Sequence, residues 1–309
     1  MRTSTATYRV TIGRVPLGLL HLAYSALRRP DPLATRIDAH HHFWKYDVKE
    51  YDWIGDSMKV IRRDFLAVDL QKEIAAAKID GVVSVQARQT VEETNWLLGI
   101  ANQNAFIRGV VGWVPLTDPK VASVLEKFKD QHKFKGVRHI VQGETDPGYM
   151  LRKEFQAGIE ALKPAGLVYD ILILEKQLPA AIQLVDRNPK QVFVLDHIAK
   201  PKIKEHLMSP WTENIRKLAE RPNVYCKVSG MVTEADYHSW KESDLQPYFE
   251  VVLHAFGAKR LMFGSDWPVS LVATSYRHWV DVVSNATKRL SASELEYFWG
   301  RTAIEAYKL

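Results

Sequence analysis

Hydrophobic and polar positions along this 309-residue chain switch repeatedly between two periods. Short runs rich in Val, Ile and Leu, at 36–42, 81–88, 109–116, 136–141, 167–174, 192–198, 224–230 and 261–266, read as eight β-strands. Segments with apolar residues every three or four positions, at 64–79, 91–104, 121–131, 153–162, 178–188, 211–220, 245–256, 277–287 and 293–307, read as amphipathic helices. Thr90 with Glu93 three residues later is a capping box that opens the second of these. Gly166, Asn188-Pro189 and Arg221-Pro222 are helix stops. Strands alternating with helices pair in parallel through right-handed crossovers. Eight such units, with no Gly/Ser-rich linker between them, predict a single α/β domain over 36–309, a closed (β/α)8 TIM barrel. An open doubly wound sheet would place a Gly-rich phosphate turn after its first strand. Here the first strand runs into His40-His41-His42 instead.

Composition changes this picture mainly at the N-terminus. Apolar residues are 46% and charged residues 25% of the chain, as in a globular protein with an ample core. The formal charge is +6, but residues 1–30 hold five arginines and no acid, which leaves 37 basic against 36 acidic residues elsewhere. The body is therefore nearly neutral, and no nucleic-acid partner is expected. Residues 1–35 form an extension with the composition of a transit peptide, or one added by an upstream start. The expected location is cytoplasmic, or organellar if that extension is a targeting segment. No later run approaches the roughly 18 apolar residues of a membrane span. The single cysteine, Cys226, excludes an intrachain disulfide and a cysteine-rich zinc site. Nothing in the sequence sets an oligomeric state.

In a barrel the chemistry sits at the C-terminal strand ends, where the βα loops gather. The first strand ends in His40-His41-His42, and alternation puts His40 and His42 on one face and His41 on the other. Two imidazoles so placed can share one metal ion. The sixth strand ends at Asp196-His197 and the eighth at Ser265-Asp266. Converging on one mouth, these residues form a candidate site. By the same alternation Ser84, Gln86 and Arg88 share a face, as do Tyr225, Lys227 and Ser229, while Arg138 faces inward with Gly136. Charged groups inside a barrel need a partner or a ligand, so Arg138 and Lys227 either pair with Asp170 or Asp266 or recognise substrate oxygens. Trp44, Trp53 and Trp267 are candidates to wall the pocket. No G-x-S-x-G elbow is present, which disfavours a serine nucleophile.

His40-x-His42 followed by Phe43-Trp44, Asp196-His197-Ile198-Ala199-Lys200-Pro201, Gly264-Ser265-Asp266-Trp267-Pro268 and Lys135-Gly136-Val137-Arg138-His139 together resemble the amidohydrolase superfamily. The likeness is to the branch that contains L-fuconolactonase, L-rhamnonolactonase and 2-pyrone-4,6-dicarboxylate lactonase, and it runs from about Arg36 to the C-terminus. It implies a hydrolase that opens a small polar lactone, with a mononuclear-zinc decarboxylase of related fold as the alternative. Metal-rich members carry a bridging lysine on strand 4 and a histidine on strand 5; this chain has Arg138-His139 and Tyr169-Asp170 there. The expectation is thus one divalent ion at most, zinc first, on His40, His42 and Asp266 or His197, or none. Asp266 and His197 are the expected catalytic residues, with Asp266 as the base that activates water. Gln86, Arg138, Asp170 and Lys227 are the expected substrate-binding residues.

Overall fold

The computed structural model describes residues 35–309. The 1–35 extension lies, but for its last residue, outside the described residues.

Eight parallel strands follow one another in chain order: β1 (Ile37–His41), β2 (Gly81–Val85), β3 (Ile107–Gly112), β4 (Phe134–Ile140), β5 (Val168–Leu172), β6 (Phe193–Leu195), β7 (Val224–Val228) and β8 (Leu261–Phe263). The ring closes where the end of β8 meets β1. His41 and Trp267 form a parallel bridge, and Asp266 N donates to His40 O at 2.8 Å. A closed ring leaves no sheet edge and excludes the open-sheet alternative.

Around the ring run α1 (Ala67–Ala77), α2 (Val91–Gln103), α3 (Val121–Glu126), α4 (Lys153–Leu162), α5 (Leu178–Arg187), α6 (Trp211–Ala219), α7 (Glu242–Phe256) and α8 (Tyr276–Thr287). Each buries one stripe against the strands' outer faces. In α6 that stripe is Trp211, Ile215, Leu218 and Ala219, the i, i+4, i+7, i+8 spacing of a helix face. The segment read as one helix at 293–307 is instead α9 (Ala292–Glu296), a π turn at Tyr297–Arg301 and α10 (Thr302–Tyr307). Gly300 explains the close fit there, since a Cβ on it would lie 1.8 Å from Thr35 O. No helix among the described residues is long and apolar enough to cross a membrane.

The barrel interior is layered. Ile37, Ala39, Val83, Val111, Val168, Val194 and Met262 form an inner apolar cluster that α10 joins through Ala303, Ala306 and Tyr307. The layer nearer the mouth is polar: His40, Arg138, Asp170, Asp196 and Lys227 are all buried. The change of phase on β1 comes from a bulge. Asp38 pairs with Val82 but His41 with Ser84, so three steps on β1 match two on β2. That extra residue lets Ala39 and His40 both face inward.

Candidate active site

His40 and His42 bring their Nε2 atoms within 3.1 Å of each other. Asp266 Oδ1 lies 3.8 Å from the first and 3.5 Å from the second. His42 Nδ1 sits 2.8 Å from Val85 O, a carbonyl that can only accept, so the ring donates there and leaves its Nε2 lone pair facing inward. His40 Nδ1 lies 3.3 Å from both Asp196 Oδ1 and Lys227 Nζ; in the tautomer that carries its proton toward Asp196, the Nε2 lone pair turns to the same point. Two lone pairs and a carboxylate oxygen facing one another repel unless a cation stands among them. Arg138 Nη1 reaches His40 Nε2 at 3.4 Å, but among the described residues no Lys or Arg comes within ion-pair distance of Asp266; its partners are His40, His42 and His197. Ligand atoms of a tetrahedral zinc stand about 3.3 Å apart, close to the separations seen here. The donor set therefore fits one divalent ion.

The electrostatics agree. Burial lowers the pKa of His40 and His42 and brings His197 down to about 4, so all three imidazoles are neutral at neutral pH and free to ligate. Burial opposes ionisation of Asp266, but His197, His42 and Lys200 outweigh it and hold the carboxyl below the ordinary range.

Beneath the donors lies an ion-pair layer. Arg138 Nη1 contacts Asp196 Oδ2 at 3.0 Å, and Nη2 donates to Gln86 Oε1 at 3.0 Å. Lys227 Nζ lies 2.5 Å from Asp170 Oδ2 and 3.0 Å from Asp196 Oδ1. Lys227 thus pairs with Asp170 and Asp196, not with Asp266. Asp196, seen in the sequence only as the neighbour of His197, is the hub that joins Arg138, Lys227 and His40. Its inward phase follows from Val194 two residues earlier. Asp38, also unremarked in the sequence, receives Ser265 N at 2.8 Å and Tyr276 OH at 3.0 Å and so fastens the approach to Asp266.

His197 arrives by an unusual backbone. His197, Ile198, Ala199 and Lys200 all have positive φ, between 47° and 61°, and Asp266 has φ 56°. Such conformations persist only where surroundings enforce them, and they concentrate at functional sites. Ser229 Oγ, 2.9 Å from His197 Nδ1, sets the ring so that Nε2 lies 3.9 Å from Asp266 Oδ1.

A cavity of about 270 Å³ opens above these groups. His42, Arg138, His197 and Asp266 line it, together with Gln142 and Lys200 from loops and an apolar wall that includes Ile140, Leu172 and Val269. Of the expected substrate contacts, only Arg138 reaches this space. Gln86 stands behind Arg138, while Asp170 and Lys227 are sealed below, fully buried. Trp53 lines the cavity; Trp44 and Trp267 are buried in the core. Ser84 does not share the face of Gln86: its Oγ bonds His41 Nε2 at 2.9 Å, because β2 ends at Val85 and the period breaks there. Gln142 and Lys200 were missed because they lie two and five residues past their strands, where alternation no longer applies.

The amidohydrolase family's sequence profile matches residues 37–309. The chain is 39% identical over 287 residues to an L-fucono-1,5-lactonase of Burkholderia multivorans, covering 89% of this chain and 97% of that protein. It superimposes with a TM-score of 0.86 on a zinc-bound amidohydrolase from the same species, at 39% identity over 89% of this chain and all of the other. A Pseudomonas putida protein provisionally named as a 2-pyrone-4,6-dicarboxylic acid hydrolase shares the fold, with a TM-score of 0.73 at 20% identity over 89% of this chain and 98% of the other.

Proposed function

Because the chain belongs to the amidohydrolase family, we propose that it is a lactone hydrolase that opens the ring of a small sugar lactone by attack of water activated at Asp266. One observation carries this reading. A buried, ionised carboxylate and three neutral imidazoles meet at the base of a small cavity whose wall is mostly apolar and whose polar groups include Arg138. Similarity to an L-fucono-1,5-lactonase over nearly its whole length supports the substrate class.

The chemistry needs a base, a site for the developing oxyanion and an acid for the leaving oxygen. Asp266 takes a proton from water as its oxygen adds to the lactone carbonyl. Arg138, held by Asp196 and Gln86, presents fixed positive charge beside that centre and favours the oxyanion. When the tetrahedral adduct collapses, the ring C–O bond breaks and Asp266 returns the proton to the departing oxygen, giving the hydroxy acid. His197, neutral and fixed by Ser229, is placed to hydrogen-bond the water or the leaving oxygen. A zinc ion on His40, His42 and Asp266 would polarise the carbonyl and lower the pKa of its bound water. Gln86, Asp170 and Lys227 serve substrate binding indirectly, by holding Arg138 and His40.

The test is acid release, followed by pH indicator, from a panel of aldonolactones headed by L-fucono-1,5-lactone. We expect turnover that falls on chelation and returns with one equivalent of zinc. No lactone opened, with carbon dioxide released from an aromatic acid instead, would replace this reading by the decarboxylase alternative.

A further inference from the structure

The far end of the barrel is joined to the mouth by one buried polar column. It starts at Tyr307, whose ring joins the inner apolar cluster on the barrel floor. The Tyr307 hydroxyl lies 2.8 Å from each oxygen of Asp170. Asp170 leads to Lys227 at 2.5 Å, and Lys227 Nζ lies 3.3 Å from His40 Nδ1 directly and 3.0 Å from Asp196 Oδ1, which is itself within ion-pair distance of His40 Nδ1 at 3.3 Å. His40 Nε2 then faces His42 and Asp266. From Tyr307 to His40 every member of this column is at most 1% exposed, so water cannot substitute for a missing link.

We propose that Tyr307 is a positioning residue for the catalytic centre, its hydroxyl fixing His40 through Asp170, Lys227 and Asp196. Docking of the C-terminal helix on the floor and competence of the mouth are then one event. This rests on the reading of the His40 centre as a metal site that opens lactones.

The division of labour within Tyr307 supports the role. Filling the floor requires only the aromatic ring, which phenylalanine supplies equally. The hydroxyl has one partner, Asp170. Among the described residues, the side chains that donate to Asp170 are Tyr307 and Lys227. Removing the hydroxyl leaves Asp170 to draw on Lys227 alone. The Lys227 ammonium, which lies over the Tyr307 ring at 5.4 Å, is then pulled toward Asp170 and away from Asp196. Lys227 then moves relative to His40 Nδ1, which it contacts at 3.3 Å, and Asp196 loses part of the positive charge that balances it beside the same ring. Partners that orient a metal-binding histidine typically change metal affinity about 10–100-fold when lost.

The experiment is Tyr307→Phe, with zinc affinity measured by competition against a chelator, kcat and KM on the lactone, and the thermal midpoint. We expect zinc binding weaker by about tenfold and a lower kcat, with KM nearly unchanged. Ala306→Gly, on the same helix but outside the column, is the control; it should lower the midpoint and leave zinc affinity alone. Native zinc affinity and kcat in a folded Tyr307→Phe protein would overturn the proposal, as would equal zinc loss in Ala306→Gly. Should the phenylalanine variant not fold, 3-fluorotyrosine at 307 keeps the ring and hydroxyl while strengthening the donor. Zinc affinity must then move by about twofold or more, and an unchanged value would overturn the proposal. Weaker zinc binding in Tyr307→Phe, with neither protein opening a lactone, would leave the column standing and remove the reaction.

Discussion

Glu93 shows how far single residues depend on their surroundings. The sequence reads it as half of a capping box with Thr90, and Thr90 Oγ1 does accept from Glu93 N at 3.1 Å. The reciprocal contact goes elsewhere. Glu93 Oε2 accepts from Ala87 N at 3.0 Å and Arg88 N at 2.7 Å, clamping the loop that leaves β2 beside the cavity. Burial is the largest influence on this carboxyl and raises its pKa from 4.5 to about 7, against the pull of Arg88 and the two amides. Between those values the folded protein holds a proton that the unfolded chain has released. Stability from this group is therefore complete below about pH 4.5 and is lost as pH rises through 7. The full gap corresponds to ~3 kcal/mol. Glu93→Gln should remove this dependence, so its urea stability relative to the parent should improve steadily from pH 5 to pH 8. Parallel stability curves across that range would contradict it. At this scale His40, His42 and Asp266 are legible in sequence because ligand-type residues at strand ends are rare and patterned. Asp196 is not, because its importance lies in three partners distant along the chain.

Among the elements, the strands were legible where alternation is sustained, as in β4, β5 and β7. They were overextended at β6 and β8, which are only three residues long. In both places the chain leaves the ladder early so that Asp196-His197 and Ser265-Asp266 can turn into the mouth. The turn after β6 relies on a glycine of the neighbouring segment. Gly230 has φ 61°, and a Cβ there would meet three atoms of the His197 side chain at 2.5–3.0 Å. Gly257 has φ 68° and open space around it. Alanine at Gly230 bears the positive-φ cost of about 1–2 kcal/mol, and at Gly257, with φ 68° and ψ 158°, it enters a region that essentially only glycine adopts. Only Gly230→Ala should also displace His197. We expect both variants to lose stability, Gly257→Ala at least as much as Gly230→Ala, with kcat of the folded protein reduced about tenfold or more in Gly230→Ala and nearly unchanged in Gly257→Ala. Equal kcat in the two would show that the position of His197 does not matter to the reaction.

For the whole molecule, eight alternating units sufficed to read the barrel, because closure follows from parallel pairing and short connections. The depth of each side chain within it could not be read. Period 2 says that Arg138, Asp170 and Lys227 point inward, but not that Arg138 reaches the cavity while the other two close on each other beneath it. Nor does periodicity show that α10 plugs the floor, since its apolar face looks like that of any outer helix. The architecture nonetheless brings every strand-end donor to one point, and Asp266 is the group on which the proposed reaction turns. Asp266→Asn preserves shape and hydrogen bonding but removes the base. Circular dichroism should show an intact fold, and kcat for the lactone should fall about 10²–10⁴-fold. A folded Asp266→Asn protein that opens the lactone at the parent rate would contradict the assignment.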